Sequence, residues 1–360
     1  MEKVFLVFPY KKSLSLQDRE ERLNEMMELI RSAGGQCVGY ASFAIDKPSA
    51  STYVKQGNLM NVTAQIKEKQ ATISVFGVDL NPGQARNLED AFDGTRIVDR
   101  TGLILDIFSR RAVSKEGKLQ VELAQLNYLL PRLVGRGVIM SRLGGGIGTR
   151  GPGEQKLEVD RRKIRDRISH LKKDLKKLRV HRTLLRNNRK KNNVFVVSLV
   201  GYTNAGKSTL MNQLTGADVK TEDKLFATLD PVTRKIKARN EKIIVFTDTV
   251  GFLIDLPHKL IESFQATLEE INDSDLILHV LDSSNKDIGL YQEVTESVLK
   301  DLGCEKIPCW HIYNKRDLVP ELLKDHQYTS ESFLVSALNG DGVDDLKQKI
   351  SEFVERKNEN

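Results

Sequence analysis

One junction constrains this chain more than any other. The apolar run VFVVSLV at residues 194–200 leads directly into Gly201-Tyr202-Thr203-Asn204-Ala205-Gly206-Lys207-Ser208, the pattern GxxxxGKS. A strand that feeds a glycine-rich turn and then opens a helix is a phosphate-binding element. The turn aims backbone amides at the anion, and the helix N-terminus favours negative charge. In that geometry Lys207 pairs with the β- and γ-phosphates and Ser208, followed by Thr209, binds Mg²⁺. From residue 194 onward strand and helix patterns alternate. Strands are expected at 194–200, 233–239, 242–248, 275–281, 308–313 and 331–336, and helices at about 207–215, 258–271, 285–302 and 342–356. That alternation predicts a doubly wound α/β domain with a mainly parallel sheet over 193–360.

Three further motifs follow in chain order. Asp248-Thr249-Val250-Gly251 ends an apolar strand, so Asp248 suits a Mg²⁺ contact and the Gly251 amide a γ-phosphate contact. Asn314-Lys315-Arg316-Asp317 reads NKxD after another strand. The Asp317 carboxylate would accept from N1 and the exocyclic amine of guanine, a pairing adenine cannot offer. Ser336-Ala337-Leu338 follows the last strand and suits a backbone contact to the guanine oxygen. Between the loop and Asp248, Phe226-Ala227-Thr228 stands in FATLDP, with Thr228 as the threonine expected on Mg²⁺ and γ-phosphate. Each motif is short, but in this order at strand ends they predict a GTP/GDP site. Lys207, Thr228 and Gly251 are its expected catalytic groups, and Ser208, Thr228 and Asp248 its Mg²⁺ ligands. Phe252 occupies the position where many GTPases place a water-orienting glutamine. A phenyl ring cannot hold a water, so slow intrinsic hydrolysis is expected. Resemblance to GTPases that carry an asparagine at the position of Asn204 implies a potassium ion held beside the phosphates.

Charge locates a second element. Residues 150–193 hold 17 Lys and Arg against 5 Asp and Glu, a net +12, which leaves −5 for the rest of a chain whose total is +7. Concentrated basicity points to a polyanionic partner, although a solvated helix face would look the same. The same region carries an apolar stripe. Ile164, Ile168, Leu171, Leu175 and Leu178 repeat at heptad spacing, with Leu157 and Leu185 one heptad away on either side. Upstream, Leu119, Leu123, Leu126, Leu130 and Leu133 repeat likewise, interrupted by Pro131. Neither stripe is buried by a lone helix in water, so the two are expected to pack as an antiparallel helical hairpin over 113–192. Its end would hold the glycine-rich loop 142–153, and NNRKKNN at 187–193 reads as a linker.

Residues 1–112 alternate short strands and helices and predict a small α/β domain without a catalytic constellation. No apolar run is long enough for a membrane helix, and no signal peptide is apparent. Cys37, Cys304 and Cys309 show neither a CxxC pair nor histidine clustering. Neither a disulfide scaffold nor a zinc site is therefore expected, and the pattern fits a reducing cytoplasm; a monomer is expected.

Beyond the GTPase motifs, three runs carry a specific likeness: VDRTGLILDIFSRRA (98–112), LQVELAQLNYLLPRL (119–133) and RLGGGIGTRGPGEQKLEVDRRKIRDRI (142–168). Through them the chain resembles the HflX family of ribosome-associated GTPases over essentially its whole length. The resemblance implies a nucleotide-binding-like N-terminal domain, a helical hairpin and a GTPase domain. It implies binding between the ribosomal subunits, with the hairpin end near the peptidyl-transferase centre of the large subunit, and GTP-dependent splitting of stalled or idle ribosomes. It links the activity to stress or antibiotic rescue. Arg142, Gly144, Gly145, Gly146, Arg150, Gly151 and Gly153 would then face RNA, where glycine permits close approach and arginine contacts phosphate and stacks on bases. Two departures stand out. Many members carry an extra C-terminal domain, whereas this chain ends at Asn360, just past the expected helix 342–356. Gln56-Gly57-Asn58 stands where many members have a glycine–lysine-rich turn, so no second nucleotide site is expected there. A ribosome-assembly GTPase and a protein-docking signalling switch remain as alternatives.

Overall fold

The computed structural model describes residues 1–133, 152–191, 194–217, 225–237, 242–254, 257, 260, 268, 270–319 and 331–357. They form two compact units, Met1–Arg110 with Lys118–Lys176, and Arg111–Gly117 with Lys177–Asn360. None of the described helices is long and apolar enough to cross a membrane.

The first unit begins with β1 (Glu2–Lys11), α1 (Leu16–Ser32), β2 (Gly35–Ile45), α2 (Gln56–Glu68), β3 (Ile73–Phe76), α3 (Pro82–Ala91), β4 (Arg96–Val98) and α4 (Arg100–Arg111). Its strands form a parallel sheet in the order β2-β1-β3-β4. Val4 to Phe8 of β1 are buried on both faces, which is why that strand reads as an unbroken apolar run. Local chemistry sets the helix starts. The Ser15 hydroxyl accepts the Asp18 amide at 3.0 Å, and Asn81 and Gln84 form a reciprocal capping box with Pro82 in the first turn. Helix α4 is buried over most of its length, through Leu103, Ile104, Leu105, Ile107 and Phe108 and also polar Arg100 and Thr101.

Helices α5 (Lys115–Leu129) and α6 (Pro152–Lys191) complete the described helices up to β5. The predicted stripes meet. Leu123, Ile168 and Leu171 are buried together, with Leu119, Leu126, Leu130, Ile164 and Leu175 against them. The arms run antiparallel, since Glu116 pairs with Arg182 and Glu122 with Arg167. A 3₁₀ turn (Leu130–Leu133) follows α5 at Pro131, as the proline requires. Asp99 anchors this arm to the sheet. It is 2% exposed and accepts from the Leu80 and Gly102 amides, the Tyr128 hydroxyl at 2.7 Å and Arg132 at 2.6 Å.

Two expectations need correction. Helix α6 spans 40 residues, about 60 Å at 1.5 Å per residue. It already includes Gly153, expected in the loop, and it continues through Asn187–Lys191, expected to be linker. Proline is favoured in a first helical turn, and Lys and Arg propagate a helix well enough to carry two asparagines. Arg142, Gly144, Gly145, Gly146, Arg150 and Gly151 lie outside the described residues, as does most of the predicted helix 258–271.

The second unit contains β5 (Phe195–Gly201), α7 (Lys207–Thr215), β6 (Val232–Lys237), β7 (Ile243–Asp248), β8 (Leu276–Asp282), α8 (Ile288–Asp301), β9 (Cys309–Asn314), β10 (Ser332–Leu334) and α9 (Val343–Arg356). The sheet order is β10-β9-β8-β5-β7-β6, parallel throughout except that β6 runs antiparallel to β7. Strand order reverses at β5, with β7 on one side and β8 on the other. The crevice at such a switch point, at the carboxyl ends of the strands, is where this architecture places ligands. Gly201, Asp248, Asp282 and Asn314 end their strands there.

Candidate functional site

The turn between β5 and α7 depends on two glycines. Gly201 has a φ of +147°, and a Cβ there would stand 2.2 Å from the Val280 carbonyl oxygen. Gly206 has a φ of +93°, and its Cβ would stand 2.1 Å from Asn314 Nδ2. Asn204 also takes a left-handed φ of 62°, which asparagine tolerates. Lys207 lies folded over the turn. Its Nζ donates to the carbonyls of Gly201 at 3.0 Å and Tyr202 at 2.7 Å, and burial pulls its pKa down to about 8 against the opposing field of Asp248.

Three oxygens converge beside it. Ser208 Oγ lies 2.5 Å from Asp248 Oδ2 and 3.0 Å from Thr228 Oγ1, and Thr228 Oγ1 donates to Asp248 Oδ2 at 3.1 Å. The other carboxylate oxygen, Asp248 Oδ1, is buried with no hydrogen-bond partner among the described residues. Burial raises the Asp248 pKa, with Lys207 and the two hydroxyls acting in the opposite direction. Hard oxygen donors around an unsatisfied buried carboxylate suit Mg²⁺. A cleft of about 60 Å³ opens here, bordered by Thr203, Asn204, Gly206, Thr209, Phe226, Ala227, Thr249 and Gly251 as well as Lys207, Ser208 and Thr228.

The segment after Asp248 is zipped to the turn. The Thr203 amide donates to the Phe252 carbonyl at 2.9 Å, and the Phe252 amide to Gly201 at 3.1 Å. A Cβ on Gly251 would press on Thr203 Cα at 2.7 Å. The Thr249 hydroxyl donates to the Leu199 carbonyl at 2.8 Å, Val250 is buried, and the Phe252 ring is 1% exposed. Phe252 is thus core, with its backbone holding the two motifs together. Tyr202 packs on Tyr291 with ring centroids 4.1 Å apart.

Asn314 ties the remaining motifs to this turn. Its Nδ2 donates to the Ala205 carbonyl at 2.8 Å, and its Oδ1 accepts the Ala337 amide at 2.9 Å. The Ala337 amide, expected to face a base, donates to Asn314 in this structure. Asp317 accepts from the Ser336 hydroxyl at 2.5 Å, and Leu338 is exposed. Lys315 sits at a φ of 65° and pairs with Asp282 at 2.6 Å.

Two participants escape sequence reasoning. Asp282 carries no motif beyond its place at a strand end. Asp230, two residues after Thr228, accepts from the Val113 amide at 2.7 Å, the Ser114 amide at 2.7 Å and the Ser114 hydroxyl at 2.6 Å. Ser114 in turn accepts the Gly117 amide at 2.8 Å, so Asp230 secures the first turn of α5. Nothing in FATLDP signals a partner more than a hundred positions upstream.

Three family models match in succession: "GTP-binding GTPase N-terminal" over residues 20–109, "GTP-binding GTPase Middle Region" over 111–189 and "50S ribosome-binding GTPase" over 196–315. Among curated proteins, the GTPase HflX of Caldanaerobacter subterraneus subsp. tengcongensis is 50% identical over 94% of this chain and 78% of its own length. The GTPase HflX of Escherichia coli is 41% identical over 93% of this chain and 80% of its own. The chain belongs to the HflX family of GTPases. As an HflX-family protein it hydrolyses GTP, and the P-loop domain described above is its GTPase domain. Among solved structures, a complex of SsGBP with GDP is 25% identical with a TM-score of 0.54, covering 99% of each chain. A GTP-binding protein from Sulfolobus solfataricus with GDP shares the fold at 24% identity and a TM-score of 0.50, again over 99% of each.

Proposed function

We propose that this HflX-family GTPase acts on the large ribosomal subunit and separates stalled or idle ribosomes in a GTP-dependent cycle. The observation that carries the reading is the two-faced helix α6. Its Ile164, Ile168, Leu171 and Leu175 face α5, while Arg162, Lys163, Arg165, Lys172, Lys173, Lys176, Lys177 and Arg179 are exposed. A row of cations on a long helical arm neutralises a phosphate backbone well. The match of residues 196–315 to a 50S ribosome-binding GTPase model supports the choice of ribosomal RNA over other polyanions.

At the nucleotide site, the amides of 206–208 and Lys207 would cradle the phosphates. Ser208, Thr228 and Asp248 would hold Mg²⁺, whose charge offsets that of the phosphate oxygens. Asp317 would select guanine, held in place by Ser336. Asn204 borders the same cleft, and a potassium ion there would make hydrolysis faster in potassium than in sodium buffer. With Phe252 packed in the core, no side chain at that position orients the attacking water, so intrinsic hydrolysis is slow and the ribosome supplies the missing order.

Sedimentation of the full chain with ribosomes and a nonhydrolysable GTP analogue tests this. Co-sedimentation with large subunits and conversion of paired ribosomes to subunits is expected. Binding restricted to immature subunits would transfer the assignment to ribosome assembly. Absence of co-sedimentation would leave α6 as a protein-docking face.

A further inference from the structure

Strands β8 and β9 pair in parallel with His279 directly opposite His311, and Cys309 opposite Ile277. Residues two apart on a strand share a face, so Cys309 and His311 stand side by side next to the His279 ring. One donor atom from each of the three lies within 4.8 Å of the others. The imidazole rings are 5.5 Å apart between centroids. His279 is fully buried, and neither of its ring nitrogens has a hydrogen-bond partner among the described residues. Buried polar groups are almost always satisfied, and leaving one unpaired is costly. A metal ion would engage one of the two, the ring nitrogen that carries the lone pair.

The geometry points to a Zn²⁺ site formed by His279, Cys309 and His311. Two imidazoles and a thiolate are the donor set of zinc, whereas Mg²⁺ and Ca²⁺ take oxygen. Ligand atoms about 2.1–2.3 Å from one tetrahedral ion stand about 3.5 Å apart. The cluster therefore has to close by roughly an ångström, within reach of side-chain rotation. Burial keeps the His279 imidazole neutral and its lone pair available. The Cys309 thiol must release its proton to solvent as the sulfur–zinc bond forms. Helix α8 supplies an outer carboxylate, Glu296 Oε1, 3.5 Å from His311 Nε2, the place of a group that orients a ligating ring. Cys309 and His311 are half-buried, and burial pushes the Cys309 thiol up to about 12, an opposition that metal coordination would have to overcome. Sequence spacing does not announce zinc, because His279 joins the Cys309-Trp310-His311 run only through strand register. An ion here would brace β8 and β9 three residues before Asp282 and Asn314.

The test uses the full chain stripped of metal with a chelator, then loaded with GDP and excess Mg²⁺ so that the nucleotide site is filled. Titration with Co²⁺ is expected to show one ion per chain with tetrahedral d–d absorption and a sulfur-to-cobalt charge-transfer band. Zn²⁺ should displace it. Cys309→Ser should abolish the charge-transfer band, and Cys309→Ser and His311→Gln should each weaken Zn²⁺ binding by at least about tenfold, with circular dichroism unchanged. Failure of the native chain to bind one ion, or an octahedral spectrum without the sulfur band, overturns the site whatever the variants do. Equal affinity in folded variants overturns it as well.

Discussion

Replacing Asp230 with alanine probes how the loop carrying Thr228 is fastened to the start of the hairpin. The wild-type carboxylate accepts from two backbone amides and one hydroxyl, at 2.6–2.7 Å. Hydrogen bonds to a charged group contribute about 1.5–3 kcal/mol each when well buried. These lie near the surface and share one carboxylate, so their joint loss is about 2–3 kcal/mol rather than the sum. That corresponds to an increase of about 30- to 150-fold in local opening of residues 113–117. Amide hydrogen exchange reads this directly, with both proteins saturated in GDP. Exchange at Ser114 and Gly117 should accelerate by that factor in Asp230→Ala, while amides in β5 stay unchanged. Asp230→Asn, which keeps the shape and one acceptor, should fall between. Thr228 is two residues away, so exchanging GDP for a nonhydrolysable GTP analogue should alter protection at 113–117 in the wild type and not in Asp230→Ala. Exchange at Ser114 within about twofold of wild type would refute the reasoning.

Further outcomes concern the nucleotide site and the helix that follows it. Lys207 has a pKa near 8 in the free site, and bound phosphates would raise it, so binding takes up a proton as pH rises through 8 and affinity falls. Between about pH 7 and 8.5 the GDP dissociation constant should increase about fourfold, with proton uptake visible by calorimetry in buffers of different ionisation enthalpy; a flat or opposite profile contradicts it. Gly206→Ala would drive a methyl into Asn314 Nδ2 and strain a φ of +93°, so guanine-nucleotide binding should be lost and the melting temperature lowered. Gly216→Ala, at φ +67° with open space around it, should cost only about 1 kcal/mol and leave binding intact.

What can be read in advance is what is local in the chain. The turn from Gly201 to Ser208 and helix α7 follow from a single stretch of sequence, and the two leucine stripes from their own period. What escapes depends on distant neighbours. Helix α4 buries the polar Arg100 and Thr101 beside its apolar residues, and only the fold supplies their surroundings. The reach of α6 past Asn187 reflects cooperative propagation, which composition understates. Asp230 and His279 matter through partners that only the fold brings near, a helix start in one case and a parallel strand in the other. The bond from the Ala337 amide to Asn314 likewise joins two motifs far apart in the chain.

The chain crosses between its two compact units at three points, after Arg110, after Gly117 and after Lys176. No single truncation separates them. A fragment beginning at β5 would keep every guanine-nucleotide motif and yet lack Val113 and Ser114, stripping Asp230 of the three donors it holds in the intact protein. Rates measured on such an isolated domain would describe a loop released from its tether, a different molecule from the intact chain at the residue two positions after Thr228.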